Sequence, residues 1–419
     1  MRYPPIVVQH ALGEVFFRAI TSWPLRQIAR IQALALAEIK VLGLKTSVLA
    51  PSSEALVALP TYQNDRASAE TPIPTKYPAL RLASFPKAVV TTNFRFPSVY
   101  WRRNCVIADR HESGPFRIHP GRLAVRTGGI VGYENDTVYV RTRPVRKVPG
   151  PGLYVGTRAT QNWSHWLLNF LPSVYLANSS PLIPRDIPLL VPKTALQNVG
   201  HREVLELFLE DRPVFALEEG VSYQFDNLLW PDAPVYDAPL SSDSESRKPL
   251  RMHRDVMEGF VGQIRARKTP TAGDGTHRRV FIERSGTLHR KFDFPELQSI
   301  LDKWGFLAVK MEDLGLQQKI DVLANATHVV AASGSGLANL LFATKGVAVL
   351  AFTNFRAPSY DNFVPIVAKL VGARLTLESL RPEIKIDGGD DFQIDPAEFE
   401  DALHRFLRLN QDRTGPGEI

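Results

Sequence analysis

Thr327-His328-Val329-Val330-Ala331-Ala332-Ser333-Gly334-Ser335-Gly336-Leu337-Ala338-Asn339-Leu340-Leu341-Phe342 reads as a strand, a glycine turn and a helix. An apolar run of strand length stops at Ser-Gly-Ser-Gly, and a second apolar run of helical length follows. Small residues let a backbone approach a ligand closely. A helix N-terminus adds unpaired N–H groups and the positive end of the dipole. Ser333, Gly334, Ser335 and Gly336, with Asn339 one turn further on, are therefore the expected cradle for a diphosphate. The stretch is not a dinucleotide fingerprint, and no Lys-Ser/Thr pair follows as in a P-loop. A tight turn that packs a helix on a strand is its plain structural alternative.

Working outward, strand and helix patterns alternate over 279–375. Strands are expected at 280–282, 306–309, 328–331 and 347–352, with helices at 294–304, 316–325 and 337–343. Such alternation predicts a parallel sheet covered on both faces, with ligands at the carboxyl ends of the strands. A similar alternation begins near residue 152, with a helix at 165–177, a strand at 187–191, a helix at 202–209 and strands at 214–217 and 227–230. Between 88 and 145 short strands separated by turn clusters are expected, at 89–90, 106–107, 123–125 and 137–140. Residues 11–47 carry apolar positions at mixed three- and four-residue spacing and predict helix; residues 50–80 read as an irregular connection. A last helix is marked by Asp395 as N-cap, Pro396 at its first position and Glu398 closing a capping box, with Phe399, Leu403, Phe406 and Leu407 as its buried face.

The expected organisation is a helical and irregular extension over 1–87, a β-rich section with a first α/β lobe over 88–245, a linker helix and loop over 246–278, a second α/β lobe over 279–375, and a terminal segment over 376–419. The expected fold class is α/β, two lobes with a cleft between them and an N-terminal helical and β-rich extension.

Composition narrows the function. A chain of 419 residues is long enough for more than one core. Its 22% of charged residues is globular rather than disordered composition. The net charge of +7 is scattered and suits an anionic ligand. No basic stripe interleaved with aromatics and no nucleic-acid module is present, so nucleic acid is not an expected partner. The single cysteine, Cys105, rules out an intramolecular disulfide and suits a small buried residue in a reducing compartment. No run of about 20 apolar residues could cross a bilayer, and the first residues lack the apolar core of a signal peptide. The sequons at Asn135, Asn162, Asn178 and Asn325 are read as chance.

Two further stretches carry chemistry. Gln161-Asn162-Trp163-Ser164-His165-Trp166-Leu167-Leu168-Asn169-Phe170-Leu171-Pro172, once helical, puts His165 and Asn169 on one face, an imidazole beside an amide oxygen. Asn162 and Trp163 flank that pair. Trp163 and Trp166 are candidate platforms for a sugar face; a core helix with one satisfied histidine is the alternative. Phe281-Ile282-Glu283-Arg284-Ser285, followed by His289-Arg290-Lys291, ends a strand in arginine and then presents more cations. Arginine suits bidentate phosphate recognition. A solvated basic loop is the alternative.

In order, the chain carries Asn-aromatic-x-His-Trp-Leu-Leu, a strand ending in Arg284, Glu312-x-Leu314 before a helix, x-Gly-x-Gly-Leu-x-Asn-Leu-Leu-Phe, and Gly346 opening a core strand. Over roughly residues 100–375 this resembles glycosyltransferase family sixty-one, which includes capsular polysaccharide proteins and xylosyl- and N-acetylglucosaminyl-transferases. The resemblance implies an inverting transferase of the GT-B arrangement, two facing Rossmann-like lobes, with a nucleotide-sugar donor, often a uridine diphosphate sugar, and a glycan or glycolipid acceptor. It implies that Arg284 and Arg290 neutralise the diphosphate, that Ser333 to Gly336 cradle it, and that Glu312 binds ribose or base. No Asp-x-Asp triplet occurs, in keeping with a metal-independent site and no cofactor besides the donor. The expected location is the cytoplasmic side, extended by a peripheral contact at the inner membrane face.

The chain departs from the family pattern at Asn169 (Asp in the family), Ser333 (His), Asp293-Phe294 (Asn-Glu), Ala351 (Glu) and Lys345 (Pro). An inverting transfer needs a base to deprotonate the acceptor hydroxyl. His165 is then the best candidate and Glu283 the second. The alternative is a catalytically lapsed sugar-nucleotide or glycan-binding protein of the same fold. A serine hydrolase using Ser333 or Ser335 with Asp361 and His404 fits less well, because the Gly-x-Ser-x-Gly elbow is missing.

Overall fold

The computed structural model describes residues 28–35, 46–57, 76–91, 98–100, 105–108, 130–134, 137–141, 144–156, 160–236, 250–267, 278–283, 294–353, 363–379 and 394–411. The readings of 11–27, 123–125, 238–248 and 268–277, and of Arg284, Arg290 and Asp361, lie outside the described residues. The chain divides into two compact units, residues 1–55 with 74–257, and residues 56–73 with 258–419.

The first unit is built on a large mixed sheet. Its strands begin with β1 (Ile28–Ala35), β2 (Thr46–Ala50), β3 (Ser53–Val57), β4 (Lys76–Tyr77), β5 (Leu80–Pro86), β6 (Val89–Thr91), β7 (Ser98–Tyr100), β8 (Cys105–Ala108), β9 (Ile130–Glu134) and β10 (Thr137–Arg141). From β11 (Val145–Leu153) the helices α1 (Trp163–His165), α2 (Leu171–Ser179), α3 (Lys193–Leu196) and α4 (Val199–Leu209) alternate with β12 (Leu189–Pro192), β13 (Val214–Leu217) and β14 (Ser222–Pro231). The sheet order is β13-β12-β11-β14-β6-β7-β8-β1-β10-β9, with β5 joining β14 to β2. The four strands from the alternating region pair in parallel, as βαβ connections require. The β-rich strands extend this patch through antiparallel ladders such as β14 with β6 and β6 with β7.

Two expectations are corrected here. Residues 28–35 form a strand, not part of a helix, paired antiparallel to β10 and parallel to β8. The ladder with β10 over 28–32 and the ladder with β8 over 32–35 engage its backbone in turn, and this outweighs the weak helical spacing of an eight-residue segment. Within the supposed irregular connection, β3 and β4 pair through Ser53 with Tyr77 and Glu54 with Lys76. They form a small sheet, β15-β16-β3-β4, with β15 (Val235–Tyr236) and β16 (Arg251–His253).

The core of the large sheet gathers Phe85, Tyr154, Leu190, Tyr223, Phe225, Leu228 and Trp230. Gly152 is required there, because a Cβ would stand 3.0 Å from Leu190 Cδ1 and 3.1 Å from Phe225 Cδ1. Buried Arg212 donates to Asn178 Oδ1 (2.7 Å) and to the carbonyls of Pro184 (2.9 Å) and Ile187 (2.7 Å). The Asn178 amide nitrogen in turn donates to the Phe208 carbonyl. Asn178 is thus a buried brace, which agrees with reading its sequon as chance.

The second unit holds β17 (Arg279–Glu283), β18 (Leu307–Lys310), β19 (His328–Ala332), β20 (Ala348–Thr353) and β21 (Arg374–Ser379). All four ladders are parallel, in the order β18-β17-β19-β20-β21. This is the doubly wound 2-1-3-4-5 order, whose direction of winding reverses between the first and third strands. Every residue of β19 is buried, as a strand covered on both faces must be. The helices are the part of α5 (Arg254–Arg267) beyond Met257, then α6 (Phe294–Lys303), α7 (Leu316–Ala324), α8 (Phe363–Val371) and α9 (Pro396–Gln411). The strands and α6, α7 and α9 match the sequence reading; α8 and β21 extend the lobe beyond it. Asp395 Oδ1 accepts from the N–H groups of Ala397 (2.8 Å) and Glu398 (3.2 Å), the expected cap of α9. Phe399, Leu403, Phe406 and Leu407 of α9 join Phe281, Val330, Leu350 and Phe352 in one core. Among the described residues no helix is long and apolar enough to cross a membrane.

Candidate functional site

In the first unit, the chain enters α1 through Asn162. Its Oδ1 accepts from Ser164 N (3.0 Å), Ser164 Oγ (2.7 Å) and His165 N (3.4 Å). This side chain is therefore spent on capping, which satisfies helix donors that have no intrahelical partner. Past His165 the helix changes pitch. Trp166–Phe170 is a π-helical turn, closed by Leu171 N donating to Trp166 O, before α2 resumes the ordinary winding. Pro172 gives the reason. It has no N–H to donate, and in an α-helix its ring would strike the carbonyl four residues back, at Leu168. Widening the turn relieves that clash, and Ser173 Oγ covers the Asn169 carbonyl at 3.0 Å.

His165 Nδ1 lies 3.1 Å from Asn169 Oδ1. An amide oxygen only accepts, so Nδ1 carries the proton and Nε2 holds the basic lone pair. The spacing read from the sequence is thus realised, although on a π turn. Trp166 is fully buried, stacked on Phe170 at 4.2 Å and donating through Nε1 to His201 O at 3.1 Å. That corrects its reading as a sugar platform: the indole is wedged into the core. Trp163 is only half-buried, edge-on to His201 at 5.3 Å.

In the second unit, the described candidate residues lie at and just beyond the carboxyl ends of the parallel strands. The residue pairs Ile282 with Ala331 and Glu283 with Lys310 set the level of that edge. After β19, Ser333 N donates to Phe352 O at 2.7 Å and prolongs the ladder by one residue. Ser335–Phe342 then winds as a 3₁₀-helix rather than the expected α-helix. Its first turn is closed by Leu337 N donating to Gly334 O at 3.0 Å. The Asn339 amide donates to Gly336 O at 2.8 Å, holding the tight winding from within. Ser333 and Asn339 are buried, at 1% and 0% exposure, so they brace the turn; Ser335 and Gly336 form its accessible part. A Cβ on Gly336 would come within 3.1 Å of Ile282 Cγ2. The glycine turn therefore leans on the end of β17, at the point where the winding reverses.

Glu283 closes β17, and Arg284 follows it directly in the chain. The Glu283 side chain, 15% exposed, faces Lys310 Nζ at 3.3 Å from its Oε1. Sequence reasoning missed Lys310. The signal available was its place as the last residue of the neighbouring strand, two residues before Glu312. Glu312 sits exposed on the short turn Met311–Asp313, on this same edge. Buried Lys319 of α7 donates to Leu314 O and ties that turn down. Ala351 lies buried in mid-strand between Ala331 and Leu377. His404, the histidine of the hydrolase reading, lies exposed on α9 beside the Trp304 ring at 5.6 Å. Buried Ser333 offers no nucleophile to solvent.

The family model described as Glycosyltransferase 61 matches residues 163–350, from the first residue of α1 into β20. No curated protein matches the chain. Both candidate stretches, the His165 turn and the Ser333 to Gly336 turn, fall inside the matched span, which is similar to glycosyltransferase family 61.

Proposed function

We propose that the protein is an inverting, metal-independent glycosyltransferase that moves a sugar from a nucleoside diphosphate sugar, a uridine diphosphate sugar by the family resemblance, to a glycan or glycolipid acceptor. The observation that carries this reading is the carboxyl edge of the second unit. There the doubly wound order reverses between β17 and β19, and a glycine turn packs against the strand that runs into Arg284. Ligands of such sheets bind at that crevice. Arg284 and Arg290 neutralise the diphosphate, the backbone of Gly334 to Gly336 cradles it, and Glu312 binds the ribose or base. His165 is the base. Asn169 holds its Nδ1–H, so Nε2 takes the proton of the acceptor hydroxyl while the leaving diphosphate is stabilised electrostatically. Trp163 offers a ring face to a sugar. The GT-B plan belongs to this proposal, supported by the winding of the second unit and the parallel β13-β12-β11-β14 patch of the first. So does work on the cytoplasmic side, on acceptors carried at the membrane.

Thermal unfolding against nucleoside diphosphates and their sugars tests the donor half. A ligand at about 100 times its Kd adds roughly 2.7 kcal/mol. Arg284→Ala should weaken binding by about 1.5–3 kcal/mol. An unchanged affinity in that variant would move the phosphate site elsewhere. His165→Ala tests the other half: turnover should fall by roughly 10²–10⁴-fold with donor binding retained.

A second reading is favoured by one feature, that the partner of His165 is a neutral amide instead of a carboxylate. An amide orients the ring but does not stabilise the imidazolium formed during catalysis. If every donor binds and none turns over, the protein is a binding relative of the transferases.

A further inference from the structure

The edge of the second sheet away from the glycine turn gathers cations. Strand pairing sets Arg279, His328, Ala348 and Arg374 in one row, at the amino ends of β17, β19, β20 and β21. Arg279 donates to Trp304 O just past α6 (2.6 Å), and Arg374 to Gly346 O (3.2 Å). Arg265, in the last turn of α5, reaches the carbonyls of Ala343 and Val371, both at 3.4 Å. These contacts bring the carboxyl ends of α5, α6 and α8 to this edge, with exposed Lys303 and Lys369 in the last turns of α6 and α8. Exposed Lys345 lies over Gly372, where a Cβ would stand 3.0 Å from its Cγ. Helix α9 passes from Phe399, stacked on Phe352, to Phe406, edge-on to His328. Its exposed Arg408 and Leu409 therefore lie past the row.

Little negative charge offsets this edge. Arg265, Arg279, Lys345, Lys369, Arg374 and Arg408 have no carboxylate partner among the described residues. Of the carboxylates nearby, Glu400 is spent on Lys303, and Asp302 accepts from Gln298. The flanking segments 268–277 and 412–419 hold two cations against three acids, which does not reverse the sign. Helix dipoles account for cations in last turns. They do not account for Arg279 and Arg374, which begin strands, where dipoles nearly cancel. His328, in the row with them, is pushed down to about 4 by burial first and then by the charges of both arginines.

We infer that this edge of the second unit is a docking face for an anionic lipid surface. The row alone spans about 14 Å, three strand spacings, and the helix ends widen it. The cations thus share a broad face instead of a cleft, which suits a bilayer. Leu409, 71% exposed beside Arg408, supplies an apolar tip for the headgroup layer. The face lies at the other end of the strands from the glycine turn, so docking leaves that turn open. The proposed function supplies acceptors carried at the membrane, and the choice of lipid as the partner rests on that reading.

Sedimentation of the full chain with vesicles of phosphatidylcholine, alone or with about 30% phosphatidylserine, tests this. The chain should bind the charged vesicles at about 0.1 M salt, not the neutral ones, and release them at about 1 M, where the Debye length falls to about 3 Å. Lys345→Gln alone should weaken binding about fivefold. Combined with Lys369→Gln and Arg408→Gln, the loss should reach roughly 100-fold, with unfolding temperature and nucleoside diphosphate binding unchanged. Lys76→Gln, Lys147→Gln and Lys193→Gln, exposed on the first unit, remove the same charge and should change binding little. Equal loss in the two triple variants would reduce the effect to net charge and overturn the inference. Equal binding to neutral vesicles, or no vesicle binding at all, would overturn it too. Binding of duplex DNA in place of charged vesicles, released by the second-unit triple alone, would assign the face to nucleic acid and overturn it as well. A wild type that docks on charged vesicles but binds no nucleoside diphosphate removes the donor reading and leaves the face in place.

Discussion

The two turns to which the proposal assigns the chemistry depart from the α-helix in opposite directions. Trp166–Phe170 widens into a π turn, and Ser335–Phe342 tightens into a 3₁₀-helix. The first is driven by a missing donor, Pro172, and its hydrogen-bonded pair faces outward enough to leave His165 and Asn169 half-buried. The second is driven from inside, by a buried amide that bonds three residues back and by apolar side chains buried along nearly its whole length. A wide turn spaces side chains for proton handling. A tight one presents backbone and small residues, which suits an anion. The contrast fits a base in the first unit and a phosphate cradle in the second.

The largest expected effect separates the units by pH. His328 begins β19, at the amino end of the strand that leads to the glycine turn. It is pushed down to about 4 from an ordinary 6.5, chiefly by burial and then by the charges of Arg279 and Arg374. Thr327 Oγ1 donates to Arg278 O at 2.9 Å and so accepts from His328 Nδ1 at 2.9 Å. Nε2 is buried without a hydrogen-bond partner among the described residues, and the ring meets Phe406 edge-on at 5.7 Å. The unfolded chain therefore binds a proton that the folded one refuses between about pH 6.5 and pH 4. This contribution is complete above pH 6.5 and is lost as pH falls toward 4, by roughly 3 kcal/mol. Chemical denaturation of wild type and His328→Phe across that range checks it. The variant should lose this part of the slope; equal slopes would mean that His328 does not govern it.

Next in size is the brace of the tight turn. Asn339→Ala removes the buried side-chain donor to Gly336 O beside the crowded contact with Ile282. The expected cost is about 1–3 kcal/mol of stability. Donor affinity should fall with it, because the cradle would no longer be held. A variant as stable as wild type that binds donor normally would show that the 3₁₀ winding rests on side-chain packing instead.

How much of this was legible in the sequence differs between the units for the same physical reason. In the second unit the inner strands β17, β19 and β20 are buried on both faces, so apolar runs at 280–282, 328–331 and 347–352 mark the sheet plainly. The edge strand β21 alternates Arg374, Leu375, Thr376, Leu377 and passes for a loop end. In the first unit, β1 takes its identity from ladders with β8 and β10, partners more than 70 residues away for the nearer of the two, and no local pattern encodes that. At the site, His165 with Asn169 followed from spacing alone. The burial of Ser333 and Asn339, and Lys310 beside Glu283, depend on pairing between strands and were not readable locally.

The smallest effect on stability tests the wide turn. Pro172→Ala returns an N–H that can reach the Leu168 carbonyl, so the segment can wind as a plain α-helix. Stability should change by no more than about 1 kcal/mol, since the gained hydrogen bond and the lost rigidity of proline act in opposite directions. The site should respond more than the fold. Rewinding Trp166–Phe170 turns Asn169 relative to His165 and strains the 3.1 Å bond that fixes the tautomer. Turnover should drop and its pH profile shift while the unfolding temperature hardly moves. A crystal structure of the variant that still has Leu171 N on Trp166 O would assign the π turn to the packing of Trp166 on Phe170, and Pro172 would then be a passenger.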